Sequence, residues 1–386
     1  MKVFRTLSTA RLIALVTACV IVAAGGALAV AARGGSGATP PPKPVAQAIH
    51  DALGAPEPSG VTAHIDFTNN LFPSGALAGT AGSALMSGAS GRLWANADGG
   101  RIELQSDAGD AQVVWSQTKV TVYDASSNTA YVADLPQHSD TTGTQSTPPT
   151  LDQISSFLTD LAQHWTVSDA QPSNVAGEPA YDVRVSPSHD GGLLGSAEIA
   201  WDALQGVPLK VAIYAQGSSS PALQLAVTDI SFGPVSGSDI AVAPPAGAKV
   251  VDLSSQAGSG GSDTQPVTGL AAVQAAASFP VLAPDTLVGL PRQDVRLVGP
   301  TDSRAALIVY GQGLGAIIVV ERAQDAQSGN GSALGSLPSV SLDGVTAHEL
   351  ATQIGTVLSW NSGSVSYVLA GSVPSAAAEA AARALK

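Results

Sequence analysis

The chain has 386 residues, 45% apolar and only 12% charged, enough for two or three domains whose surface is Ser, Thr, Gly and Ala more than ionic side chains. Of its 17 basic and 30 acidic residues, five basic and no acidic ones precede Pro44, so the rest carries 12 basic against 30 acidic, a net of −18. That body repels a phosphate backbone and excludes nucleic acid as a partner; the single cysteine, Cys19, excludes an intramolecular disulfide.

Residues 1–11 carry Lys2, Arg5 and Arg11. The 21 uncharged residues Leu12–Ala32 follow, then Arg33. About 20 apolar residues span a bilayer core, and basic residues ahead of the span keep the N-terminus cytoplasmic. The length favours a transmembrane signal anchor at 12–32, because the apolar part of a cleavable signal runs to about 7–15 residues. Two other fates remain: cleavage after Ala27-Leu28-Ala29 or Ala29-Val30-Ala31, and a lipobox Val16-Thr17-Ala18-Cys19 with Cys19 lipidated. All three export the remainder, which places the bulk of the chain outside the cytoplasm, at the cell membrane. A Gly- and Pro-rich linker, 33–43, comes next.

The first domain is read over 44–253. Val45, Ala48, Ile49, Ala52 and Leu53 recur at helical spacing between Pro44 and Gly54. The period then becomes two, with Val61, Ala63, Ile65 and Phe67 alternating with Thr62, His64 and Asp66. Strands are expected over 101–106, 111–116, 119–123, 129–135, 181–185, 197–201, 209–215 and 223–230, separated by turns such as Asp98-Gly99-Gly100 and Ser126-Ser127-Asn128. One helix interrupts this antiparallel meander. Thr150 and Gln153 form its capping box, and Leu151, Ile154, Leu158, Leu161 and Trp165 give it an apolar stripe. A single striped helix amid eight or nine strands predicts a curved sheet folded over a helix.

No charge occurs between Phe67 and Gly91, where Leu71, Phe72, Leu85 and Met86 are scattered through Gly, Ala and Ser. The plain reading is a small-residue insertion. The sharper one is an apolar flap over a hydrophobic cavity lined by Trp94 and Trp115, the plain reading of both tryptophans being core.

The order of Val120-Thr121-Val122-Tyr123-Asp124, Ser127-Asn128-Thr129-Ala130-Tyr131, Val175-Ala176-Gly177-Glu178-Pro179-Ala180-Tyr181, Val207-Pro208-Leu209-Lys210 and Pro244-Pro245-Ala246-Gly247-Ala248-Lys249-Val250 resembles the LolA-like fold of exported proteins from high-GC Gram-positive bacteria. The resemblance covers about half the chain. It implies an α+β class: a half-open, curved antiparallel β-barrel wrapped over helices, whose concave apolar face takes acyl chains and holds no catalytic residue.

A second Gly/Ser linker, 254–268, leads to a small α+β C-terminal domain at 269–386. It is expected to hold a short helix over 270–277, strands over 305–310 and 316–322, Trp- and Tyr-bearing strands around Trp360 and Tyr367, and a final helix over 375–385. Gly311-Gln312-Gly313-Leu314-Gly315-Ala316 passes for a dinucleotide fingerprint, but Ile317-Ile318-Val319-Val320 reads as a strand where a helix is needed. We read it as a hairpin turn. The tail resembles the small domains of exported regulators.

No nucleophile elbow, zincin or P-loop pattern is present, and the six histidines lack the spacing of a zinc pair. No metal or cofactor is expected, and the single Asp and Glu residues read as solvated strand positions. The expected function is therefore non-catalytic binding of a lipid or an acylated protein by Ile65, Phe67, Leu71, Phe72, Leu85, Met86, Trp94 and Trp115. The alternative is an envelope sensor whose C-terminal domain acts on an anti-sigma factor or another membrane-bound partner.

Overall fold

The computed structural model describes residues 39–56, 58–71, 88–135, 148–188, 192–253, 267–299, 304–324 and 337–385. The run 12–32 with Cys19 lies outside them, and among the described residues no helix is long and apolar enough to cross a membrane.

Alternation of apolar and polar side chains produces the strands of a first sheet: β1 (Val61–Asn69), β2 (Ala89–Asn96), β3 (Gly99–Ser106), β4 (Gly109–Ser116), β5 (Lys119–Asp124), β6 (Thr129–Asp134), β7 (Trp165–Val167), β8 (Gln171–Val175), β9 (Glu178–Pro187), β10 (Leu194–Asp202), β11 (Pro208–Ala215), β12 (Pro221–Phe232) and β13 (Lys249–Asp252). Their order is β13-β6-β5-β4-β3-β2-β1-β12-β11-β10-β9-β7, with β8 also on β9. Among the described residues every pairing is antiparallel except β13 on β6, and none joins the two ends of the sheet. The mostly-β architecture with few helices agrees with the sequence reading. β2 was not expected: it sits at the edge of the Gly/Ala/Ser-rich stretch, whose small residues hide the alternation.

Two helices accompany this sheet, α1 (Val45–Gly54) and α2 (Leu151–Leu161). The capping box forms as expected, Gln153 N donating to Thr150 Oγ1 at 3.3 Å and Thr150 N donating to Gln153 Oε1 at 2.8 Å. Trp165 does not belong to the helix. The chain turns at Gln163 and His164, and Trp165 opens β7 opposite Pro187 of β9, where strand pairing replaces another helical turn. The helix on the sheet is also not the one with the capping box. Ala48, with Val45, Ile49 and Ala52 of α1, packs on Tyr181, Val183 and Trp201, while α2 lies against α1 and β7. Tyr181 Oη donates to the Pro41 carbonyl at 2.6 Å, and Lys43 pairs with Asp51 at 2.6 Å, which fixes the start of α1 on the sheet. A short helix, α3 (Gly237–Ile240), touches β2 and β3.

A second sheet contains β14 (Thr286–Leu287), β15 (Leu290–Val298), β16 (Ala305–Tyr310), β17 (Ile317–Ala323), β18 (Ser339–Leu342), β19 (Val345–Thr352), β20 (Gly355–Ser362) and β21 (Val365–Gly371), in the order β14-β15-β16-β17-β21-β20-β19-β18. The glycine-rich run joins β16 to β17 as an antiparallel hairpin, as expected for a turn and not for a dinucleotide loop. One face is covered by α4 (Leu270–Ala276), by Phe279, Val281 and Ala283 of the following segment, and by α5 (Ser375–Arg383).

The two sheets meet at a small junction. Leu193 N and Leu194 N donate to the Ser372 carbonyl and Oγ at 2.9 and 3.0 Å. Ser372 Oγ donates on to the Ile354 carbonyl at 2.8 Å, and the neighbouring Gln353 donates from Nε2 to the Asn70 carbonyl at 2.6 Å. Gly192 has φ +67°, and a Cβ there would overlap the Ser372 carbonyl oxygen. Gly192→Ala is therefore expected to part the junction while leaving both sheets intact. Small-angle scattering of the purified full chain should show a larger radius of gyration with unchanged far-UV circular dichroism; an unchanged radius would refute the assignment.

Candidate functional site: an apolar face of the first sheet

Antiparallel register places directly opposed residues on the same face. Around β1, Ala63 lies opposite Leu93 and Ile230, Ile65 opposite Gly91 and Val227, and Phe67 opposite Ala89 and Leu225. The rows continue through Ile102 and Leu104 of β3 to Val113 and Ala111 of β4. In the other direction Leu225 leads to Val211, Ile199 and Val183, where α1 covers the sheet. None of the residues in these rows carries a charge. Ile65 and Trp115 are buried here and Phe67 is partly so.

Trp115 faces Gly100, and a Cβ at Gly100 would overlap the indole ring. The glycine gives the ring its seat, so the Asp98-Gly99-Gly100 turn read from sequence also has a packing role.

Of the sequence-predicted residues, the structure brings Ile65, Phe67 and Trp115 together in one cluster. Trp94 is not with them. It pairs with Arg101 and Thr62 on the opposite face, and its ring lies under the Arg101 guanidinium at 4.2 Å. Trp94 and Trp115 therefore cannot line one cavity on one face of the sheet, because the register across β2, β3 and β4 puts them on opposite sides. Leu71 follows β1 and its carbonyl accepts the Gln353 N–H at 3.3 Å, which places it at the junction. Phe72, Leu85, Met86 and Cys19 lie outside the described residues. The sequence reading missed Leu93, Ile102, Leu104, Leu225 and Val227, which share the cluster with Ile65. Alternation within 101–106 and 223–230 was the available signal for four of them.

The opposite face holds the ionic chemistry. Arg92 Nε donates to His64 Nε2 at 3.1 Å, and His64 Nδ1 lies 3.4 Å from Asp229. On β9–β11, Glu198 is buried between Arg184, at 2.5 Å, and Lys210, which also pairs with Asp182 at 3.0 Å. Burial alone raises the Glu198 carboxyl, but bonds from Lys210 and Arg184 outweigh it and hold the group at about 2. The sequence reading took lone acidic residues as solvated. Glu198 corrects that, because its partners stand on neighbouring strands 12 and 14 residues away and only the sheet brings them together.

The arrangement is an uncharged face backed by a braced polar one. Burying each acyl CH₂ on such a face is worth about 0.8 kcal/mol, so a hydrocarbon chain needs no polar partner there.

No protein-family model matches the chain, and no curated protein does so. Among solved structures it is similar to MucB in complex with MucA(peri), at 14% identity, covering 89% of this chain and 96% of that one, with a TM-score of 0.42. A Pseudomonas aeruginosa MucA/MucB complex gives 16% identity, 88% and 94% coverage and a TM-score of 0.42. A putative outer membrane lipoprotein-sorting protein domain from Vibrio parahaemolyticus gives 10% identity over 47% of this chain and 89% of that one, with a TM-score of 0.20.

Proposed function

We propose that this chain is a non-catalytic extracytoplasmic protein, held at the membrane by residues 12–32, whose LolA-like first sheet binds the acyl chains of a lipid or an acylated protein. The observation that carries this reading is the set of uncharged rows through Ile65 and Phe67, which run across eight paired strands, β4 to β9 by way of β1 and β12, with ionic side chains kept to the other face. A second reading is favoured by the junction. The end of β1, the strand that carries Ile65 and Phe67, is hydrogen-bonded through Asn70 and Leu71 to Gln353 of the second sheet. On that reading the chain is an envelope sensor that passes occupancy of the first sheet to an anti-sigma factor or another membrane partner through its C-terminal part.

The full chain purified from its host is expected to carry lipid visible by native mass spectrometry. Phe67→Gln with Leu225→Gln, two partly buried positions at the rim of the cluster, should reduce that lipid severalfold with little change in melting temperature. A lipid-free protein that takes up no fluorescent fatty-acyl probe would overturn the binding reading and leave the regulatory one.

A further inference from the structure

The second sheet has an apolar face that its core does not use. An antiparallel sheet covered on one side ordinarily shows polar residues on the other. Here Leu307, Val320 and Val368 form one cross-strand row, and Val309 and Ile318 lead through Ala370 to Val357 in the next. Each of these six large side chains is partly exposed, and none belongs to or packs against any of the three hydrophobic clusters. Their strand neighbours Ile308, Val319, Leu358 and Leu369 point the other way, into the core beneath α4 and α5. The rows span β16, β17, β21 and β20, about 14 Å at the usual strand spacing, the width of one docked helix.

The rim of this face is basic in an otherwise acidic chain. Arg296 of β15 stands opposite Leu307, and its Nε is buried with no hydrogen-bond partner among the described residues while Nη2 pairs with Asp294 at 2.5 Å. Arg322 stands opposite Ala305 and Ser366, is exposed, and enters no ion pair among the described residues. Two arginines against one aspartate suit a negatively charged flank. A second copy brings a net of −18 over residues 44–386, but it also brings the same basic rim, so like charges would meet around the apolar rows.

We propose that this outer face of the second sheet, rimmed by Arg296 and Arg322, is the docking surface for an amphipathic helix of a partner protein whose apolar stripe is flanked by carboxylates. The site lies on the second sheet, not on the one proposed to bind acyl chains, and stands whether or not the first sheet holds lipid.

The test uses two fluorescein-labelled 18-residue helical peptides with the same leucine stripe, one flanked by Glu and one by Lys, titrated by anisotropy against the full chain. The Glu peptide is expected to bind at least tenfold more tightly than the Lys peptide. Val320→Ser should weaken the Glu peptide at least tenfold, and Arg322→Glu should erase the preference. Arg322 is exposed, so that variant keeps the test valid if Val320→Ser fails to fold. Equal binding of both peptides, or binding indifferent to Arg322→Glu, overturns the proposal. So does sedimentation showing a dimer of the chain that Arg322→Glu disperses, which would assign the face to a second copy.

Discussion

Trp115→Ala is expected to destabilise the first sheet by about 3–5 kcal/mol, the usual cost of emptying a buried tryptophan site. The ring is 5% exposed, rests on Gly100 opposite Val120, and shares a cluster with Ile102 and Val120, so its removal empties a buried site. Trp94→Ala is the matched control. Trp94 is partly exposed and its main partner is the Arg101 guanidinium, a contact worth about 0.5–1 kcal/mol plus modest packing. Urea unfolding of both variants should therefore separate two tryptophans that the sequence reading treated alike. Equal losses would show that the face assignment is wrong. The second sheet should keep its own transition in the Trp115 variant, because none of its core residues belongs to the Trp115 cluster.

The second large effect is a pH dependence of the second sheet. Glu321 is fully buried, with Oε2 accepting the Leu282 N–H at 2.9 Å and Oε1 without a hydrogen-bond partner among the described residues. Tyr367 stands opposite it on β21, and both Tyr367 and Tyr310 of β16 feel its charge, Tyr310 together with Arg292 and Asp285. Burial pushes the Glu321 carboxyl from 4.5 up to about 7, against the smaller opposing effect of the Leu282 N–H. The folded state thus holds its proton more tightly than the unfolded chain. Its contribution is full below about pH 4.5 and is lost as pH rises through about 7, a total of roughly 3 kcal/mol at about 1.36 kcal/mol per unit. Hydrogen exchange of peptides from β17 and β21, corrected for intrinsic rates, should report that loss between pH 4.5 and 7.5. Glu321→Gln should flatten it and raise stability at pH 7.5. A profile already flat in the native chain would mean that Glu321 reaches water or a partner group.

Glu321 also marks the limit of reading strands one at a time. Its alternation with Ile317 and Val319 already placed it on their face, but nothing along the strand says that this face is the one that α4, α5 and the Phe279–Ala283 segment cover. The same limit hides the exposed Val320 face, since Ile317-Ile318-Val319-Val320 reads as an apolar strand whichever side is packed.

Several features were set by local sequence. Thr150 and Gln153 fix the start of α2, Gly311–Ala316 forces a hairpin between two β-branched runs, and alternation from Val61 to Phe67 puts Ile65 and Phe67 on one side of β1. These rest on interactions within a few residues, and the side chains alone specify them. Tertiary structure decided the rest. It put Trp94 and Trp115 on opposite faces, laid α1 in place of α2 on the sheet, paired Glu198 with Arg184 and Lys210, and tied Asn70 to Gln353, 283 residues away. Each of these depends on cross-strand register or on which face another element covers, and such pairings are fixed by burial summed over the whole sheet, not by any short stretch of chain.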